Sequence, residues 1–294
     1  VMKRTSTLGL LLVTVLFARP AVAADEFDAL THPVKATLIA DTDAIVPGKP
    51  FHIALQFKID KHWHTYWAHP GDAGSPTRAT LEADGVTFGD IQWPIPQIID
   101  LDGYVSFGYE DHVLHIIPAV ADAGLKPGQD VTIRAVAQWQ CCKHGVCIDG
   151  KADLTLTLPV RSEAKPAKQV MFAAWRARLP VERDDAAAKK FIAAIEQPTA
   201  ADGSAKNELI VRWKTQPPSN VRWLPVASVA IAVEDIKVTD KDKVTQVRFS
   251  TDVFDAQGVP GGVISSLLMF DAGPGKTVGV NLPVRVLPAE AAEK

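Results

Sequence analysis

The stretch "FHIALQFKI", residues 51–59, places Phe51, Ile53, Leu55, Phe57 and Ile59 at every second position. Successive side chains of a strand point to opposite faces, so these five line one face of a half-buried antiparallel strand. Similar runs lie on either side: "KATLIADTDAI" before it, and "HVLHIIPAV", "DVTIRAVAQWQ" and "ADLTLTLPV" after it. Pro-Gly and Asp-Gly clusters, as in "VPGKP" and "LKPGQD", reverse the chain between them. Short strands at this spacing, from about residue 34 to 160, predict a mainly β protein built on a β-sandwich.

The pattern changes over residues 161–206. A Ser/Ala/Lys/Pro linker leads into the Ala-rich runs "AKQVMFAAWRARL" and "RDDAAAKKFIAAIEQ". In the second, Asp184 and Asp185 come early, Lys189 and Lys190 follow, and Ala188, Phe191, Ile192 and Ile195 form an apolar stripe, which predicts a helical connector. Strand patterns return over residues 207–294 with "LIVRW", "VASVAIAV", "DKVTQVRFSTDVFD", "GGVISSLLMF" and "KTVGVNLPVRVL", read as a second, smaller β domain. Trp175, Trp213 and Trp223 are expected to pack the connector and this second domain.

At the start, Lys3 and Arg4 precede an apolar run of ten residues, and Ala21-Val22-Ala23 supplies small residues for cleavage. This predicts a secretory signal peptide over residues 1–23, with the sandwich occupying 24–160, and places the mature protein in the periplasm. The run falls well short of the roughly 20 residues that span a bilayer. A formal charge of −3 without a basic patch argues against nucleic acid as a partner.

All three cysteines fall in "AQWQCCKHGVCIDGK", residues 137–151. Three thiols in a chain of 294 residues are not a stabilising framework, which points to reactivity. A bond between the adjacent Cys141 and Cys142 would close a strained eight-membered ring, so Cys147 pairs with one of these two. If the strand continues through them, Trp139 and Cys141 point to one face and Gln138, Gln140 and Cys142 to the other. Only one cysteine then faces Cys147 without a bulge. Lys143 and His144 are cations placed to favour a thiolate if they face it, and Gly145 permits a turn. Two other chemistries fit these residues: a static disulfide, or a metal site in which Cys141, Cys142, Cys147 and His144 hold copper(I) or zinc. His62, His64 and His69 form a second imidazole cluster, read either as a site wall or copper patch, or as solvated side chains at a strand end.

Four pieces, in order, resemble the N-terminal periplasmic domain of the DsbD and ScsB family of disulfide reductases: "HWHTYWAHPGDAGSPT", "WPIPQIIDLDGYVSFGYEDHVLHIIPA", "AQWQCCKHGVCI" and the closing "ADLTLTLPV". Together they span about residues 34–160. The region beyond looks like the extra β region of ScsB-type proteins. The resemblance implies an immunoglobulin-like sandwich whose hairpin cysteines shuttle between dithiol and disulfide. Cys142 sits where the family's first cysteine falls and Cys147 is its second; Cys141 is a departure that leaves an alternative partner. The family's aromatic cap loop maps to residues 100–105, where Tyr104 is the aromatic, and Tyr66 and Trp139 fall beside the cysteines. Trp63 and Trp67 belong to the signature and are expected in the core.

The resulting expectation is a periplasmic thiol:disulfide interchange protein, needing no cofactor. It would pass electrons between a separate membrane electron donor and thioredoxin-like or other disulfide-bearing partners. The alternative is a non-enzymatic copper- or protein-binding module with a structural disulfide. "GDAGSPT" reads as a turn, not a phosphate loop. Glu110, Asp111 and His112 lack a serine nucleophile, so hydrolase chemistry is not expected.

Overall fold

Alternation of apolar and polar residues folds the first half of the chain into two facing sheets. The computed structural model describes residues 32–101, 103–199, 206–226, 228 and 230–287. The expected signal peptide lies outside them. The strands are β1 (Val34–Ala40), β2 (Pro50–Ile59), β3 (His64–Gly71), β4 (Arg78–Glu82), β5 (Val86–Phe88), β6 (Gln97–Leu101), β7 (Tyr104–Glu110), β8 (His112–Ala121), β9 (Asp130–Lys143) and β10 (Val146–Pro159). One sheet runs β1-β2-β8-β5, and the other β10-β9-β3-β7-β6, with β4 also paired to β9. The immunoglobulin-like sandwich is therefore present. In β2 all five residues of the period-two face are buried, together with Ala54.

The chain continues through helix α1 (Gln169–Arg176), β11 (Val181–Glu182), helix α2 (Ala186–Lys189), β12 (Ile192–Glu196), β13 (Glu208–Trp213), β14 (Arg222–Pro225), β15 (Ile231–Lys241), β16 (Val244–Val253), β17 (Val263–Asp271) and β18 (Thr277–Arg285). These strands form two further four-stranded sheets, β11-β18-β17-β14 and β12-β13-β16-β15. Their core holds Trp213 and Trp223, whose indole N–H groups donate to Thr245 Oγ1 and Ser266 Oγ, each at 2.8 Å.

Two expectations need correction here. The second Ala-rich run forms only the short helix α2, because Ile192 and Ile195 pair in β12 with Trp213 and Val211. Burial of Ile192 in that core and the ladder to β13 outweigh the helical propensity of the alanines. Trp175 packs with the first sandwich: it is buried in the same apolar cluster as Phe57, Trp67 and Trp139, edge-on to His112 at 5.5 Å. Phe172 from α1 and Leu224, Leu267 and Met269 from the later strands join that cluster.

Candidate functional site

Turn chemistry fixes the cysteine pair. Lys143 and Val146 are paired, leaving His144 and Gly145 as a two-residue loop with φ of 45° and 77°. Positive φ at both central residues is the type I′ hairpin turn, whose twist matches that of the flanking strands. The register then places Cys142 directly opposite Cys147 and Cys141 opposite Ile148. Cys142 and Cys147 form a disulfide with a Cα separation of 4.1 Å. This is close to the spacing of a non-hydrogen-bonded cross-strand pair, about 4.5 Å.

The two ends of this bond differ in environment. Cys142 is only 3 % exposed, inside the sheet, whereas Cys147 lies on the edge strand β10 and is exposed. Cys141 keeps its thiol on the opposite face, in the core with Trp139, and donates to the Ile148 carbonyl at 3.5 Å. Burial, then the nearby Asp149 carboxylate, push that thiol up to about 11, so it remains protonated at neutral pH. The four-ligand metal set expected as an alternative is not assembled: two of its sulfurs are bonded to each other and the third faces away. Among the described residues no group of three or more His, Cys, Asp or Glu is arranged to hold a metal ion.

The strand β3 lies beside β9 with His64 opposite Cys142 and Thr65 opposite Cys141. On its other side His64 is opposite Glu110 of β7. One row across the sheet therefore reads Cys147, Cys142, His64, Glu110. Tyr66, two residues on, shares this face; its hydroxyl lies 3.3 Å from His64 Nε2 and both residues are buried. The turn after β3 seals Tyr66. A Cβ placed on Gly74, where φ is 105°, would lie 2.2 Å from the Tyr66 ring, so only glycine allows this close approach. Asp72 pins the same turn by accepting from the Val105 backbone at 2.8 Å. Burial raises the Tyr66 phenol, with Cys141 adding to the effect, and burial lowers the His64 imidazole.

Trp139 sits in the core against Phe57, their ring centroids 4.7 Å apart. Lys143 lies on the opposite side of β9 from Cys142, and His144 is exposed in the turn. Tyr104 is 67 % exposed at the tip of the β6–β7 hairpin. Along β7 it lies six positions, about 20 Å of strand, from Glu110. Of the histidine cluster, His62 is exposed, His69 lies near Phe107 with a ring separation of 6.3 Å, and only His64 reaches the cysteines. The reading of all three as solvated side chains fails at His64, because its i, i+2 relation to Tyr66 turns it onto the same covered face. Trp67 is buried and Trp63 partly buried against the sandwich core.

Residues 35–159 match the family described as "Thiol:disulfide interchange protein DsbD, N-terminal". Among solved structures, the N-terminal periplasmic domain of ScsB from Proteus mirabilis is similar with a TM-score of 0.60 at 17 % identity, over 87 % of this chain and 95 % of that one. The N-terminal domain of DsbD from Neisseria meningitidis, in the reduced form, shares 14 % identity over 45 % of this chain and 90 % of its own, with a TM-score of 0.22. No curated protein matches the sequence. The ScsB likeness is one of fold, and its extent takes in the β-rich region that follows the sandwich.

Proposed function

We infer from the match of residues 35–159 to the family of DsbD N-terminal domains that this chain exchanges electrons with other proteins through the Cys142–Cys147 disulfide. The observation that carries this reading is the asymmetry of the bond, with one cysteine exposed on an edge strand and the other enclosed beside His64. Exchange proceeds by attack of a thiolate on one sulfur of a disulfide. A partner thiolate reaches Cys147, the partner–Cys147 bond forms, and the Cys142–Cys147 bond breaks. The electron pair leaves on Cys142. A second partner thiol then displaces Cys147, so two electrons and two protons pass to this chain. The reverse sequence reduces a partner disulfide.

The partners that suit this chemistry are thioredoxin-like or other disulfide-bearing proteins, with a separate membrane protein as electron donor. The compartment is the periplasm, in keeping with the periplasmic ScsB domain that shares the fold and with the leader-like residues 1–23. No helix among the described residues is long and apolar enough to cross a membrane. Residues 24–160 form the exchanging domain in this reading, 161–206 the connector, and 207–294 a second β domain. Tyr66 is the aromatic neighbour on the face of Cys142, Trp139 backs the same strand from the core, and Tyr104 belongs to a surface a partner meets.

A trap tests the proposal. Cys142→Ser leaves Cys147 exposed without its partner, and should accumulate a mixed disulfide in cells. Cys147→Ser leaves only the enclosed Cys141 and Cys142 and should accumulate several-fold less. In the wild type the pair should titrate reversibly with dithiothreitol at a potential well above the roughly −300 mV of inert bridges. A bond that opens only at lower potential, with loss of the fold, would make the disulfide structural. Stoichiometric copper bound by anaerobically purified protein would favour the binding-module alternative.

A further inference from the structure

The chemistry above leaves a charge on a nearly buried sulfur. When Cys147 is attacked, the electron pair of the broken bond goes to the sulfur of Cys142, a residue with 3 % exposure. A buried anion without a donor is destabilised, and a poorer leaving thiolate makes exchange slower. The donor must come from the protein.

The groups that face this position are few. Across β3 it is His64, itself 2 % exposed, and directly opposed strand residues hold their Cβ atoms about 4.5–5.5 Å apart. On the same strand follows Tyr66, beyond His64 lies Glu110, across β10 is Cys147 itself, and two residues back on β9 is Gln140. Gln140 donates its amide to Asp149 at 2.9 Å, and Glu110 is exposed and an acceptor when ionised. His62 is in the exposed turn before β3. That leaves the His64–Tyr66 pair as the source of an enclosed N–H or O–H.

We propose that His64 is a positioning residue for the exchange: the Tyr66 hydroxyl donates to His64 Nε2, which holds the proton on Nδ1, and Nδ1–H donates to the thiolate that leaves on Cys142. No proton changes owner in this step; the thiolate is protonated later from water or from the partner dithiol. The enclosure of both rings supports it, since burial keeps the phenol protonated and the imidazole neutral, the state in which each nitrogen takes one role. A neutral imidazole also avoids placing a full cation beside the disulfide. Hydrogen bonds to an ion are about twice as strong as neutral ones, so the donor acts chiefly once the bond is breaking.

The inference rests on reading the Cys142–Cys147 bond as exchangeable, and the test separates the two. A water-soluble trialkylphosphine reduces an accessible disulfide whether or not the chain serves a thiol partner. Its rate with the full chain, from pH 5 to 9, should fall about tenfold in His64→Phe, with the apparent thiol pKa of reduced Cys142 raised by about one unit. His64→Gln keeps an N–H donor and should recover most of the lost rate. Tyr66→Phe should slow reduction by a few-fold, and ring ¹⁵N shifts should show Nδ1–H in the wild type and a tautomer mixture in Tyr66→Phe. If His64→Phe does not fold, the last two variants carry the test. Wild-type rates and thiol pKa in His64→Phe, or an Nε2–H tautomer in the wild type, would overturn the role of His64. Failure of the cysteine trap with the phosphine result intact would instead remove the interchange function.

Discussion

Replacing His115 with phenylalanine should flatten the fall in stability that the wild type shows on mild acidification. His115 sits on β8 opposite Leu55, fully buried. Its ring is met edge-on by Trp93 at 5.0 Å and by Phe57 and Tyr109 at 5.5 Å each. Among the described residues neither ring nitrogen has a hydrogen-bond partner, and the Tyr109 hydroxyl donates elsewhere, to the Pro94 carbonyl at 2.7 Å. Burial in this aromatic cage drives the imidazole from 6.5 down to about 3.

The unfolded chain therefore takes up a proton below about 6.5 while the folded one resists until about 3, so unfolding gains protons and stability falls as pH falls. The full gap is worth about 5 kcal/mol, and about 2 kcal/mol of it is lost between pH 7 and pH 5. Phenylalanine fills a similar volume without the two unpartnered nitrogens, so at pH 7 the variant should be at least as stable. Urea unfolding of both proteins at pH 7, 6 and 5 isolates the contribution, because every other titrating group is common to them. The wild type should lose about 2 kcal/mol more than His115→Phe on going from pH 7 to pH 5. Parallel losses, within about 0.5 kcal/mol, would refute the reasoning, as would an NMR titration of His115 with a midpoint near 6.5.

Two further substitutions probe the site. Cys141→Ala should leave the dithiothreitol titration of the disulfide unchanged and cost about 1–2 kcal/mol in urea, because Cys141 points into the core; loss of the exchangeable bond would show that the pairing is wrong. Gly74→Ala forces a methyl into the Tyr66 ring at a backbone angle suited to glycine, and should lower stability by about 2 kcal/mol or more and shift the Tyr66 ring resonances; an unchanged melting temperature and unchanged Tyr66 resonances would mean that the turn does not seal the ring.

The parts of this fold that follow period two were legible in the sequence, and those that depend on partner strands were not. The buried face of β2 and the core-facing Trp139 and Cys141 follow from alternation within one strand. The same alternation carried a signal that sequence reasoning passed over: His115 stands between Val113 and Ile117 on the inward face of its strand, a histidine where the pattern asks for a hydrophobe. Strands β3 to β7 have no long alternating run. Proline or glycine falls within β3 and β7, β4 to β6 are five residues or fewer, and β3 departs from strict register between Tyr66 and Gly71. That region was readable only as a family-like motif. Ile192 and Ile195 show the converse error, where a good helical stripe lost to a neighbouring strand supplying hydrogen bonds and a core.

The choice between Cys141 and Cys142 turns on the parity of a loop. In an antiparallel hairpin the loop length fixes which residues oppose each other, and a shift of one residue exchanges the faces. Here the loop holds two residues, so Cys142 meets Cys147; an odd loop would bring Cys141 toward Cys147 and turn the disulfide into the core. The two-residue loop was itself encoded, because His144-Gly145 places at the first position one of the few side chains that tolerate positive φ, and at the second the residue that adopts it without strain. The cationic character of Lys143 and His144, which drew attention as a thiol-activating feature, thus matters less at His144 than its backbone. Its side chain is exposed in the turn, while the imidazole placed to act on the disulfide, His64, comes from a strand some eighty residues earlier. Spacing along the chain cannot reveal such a neighbour; only the register between β3 and β9 does.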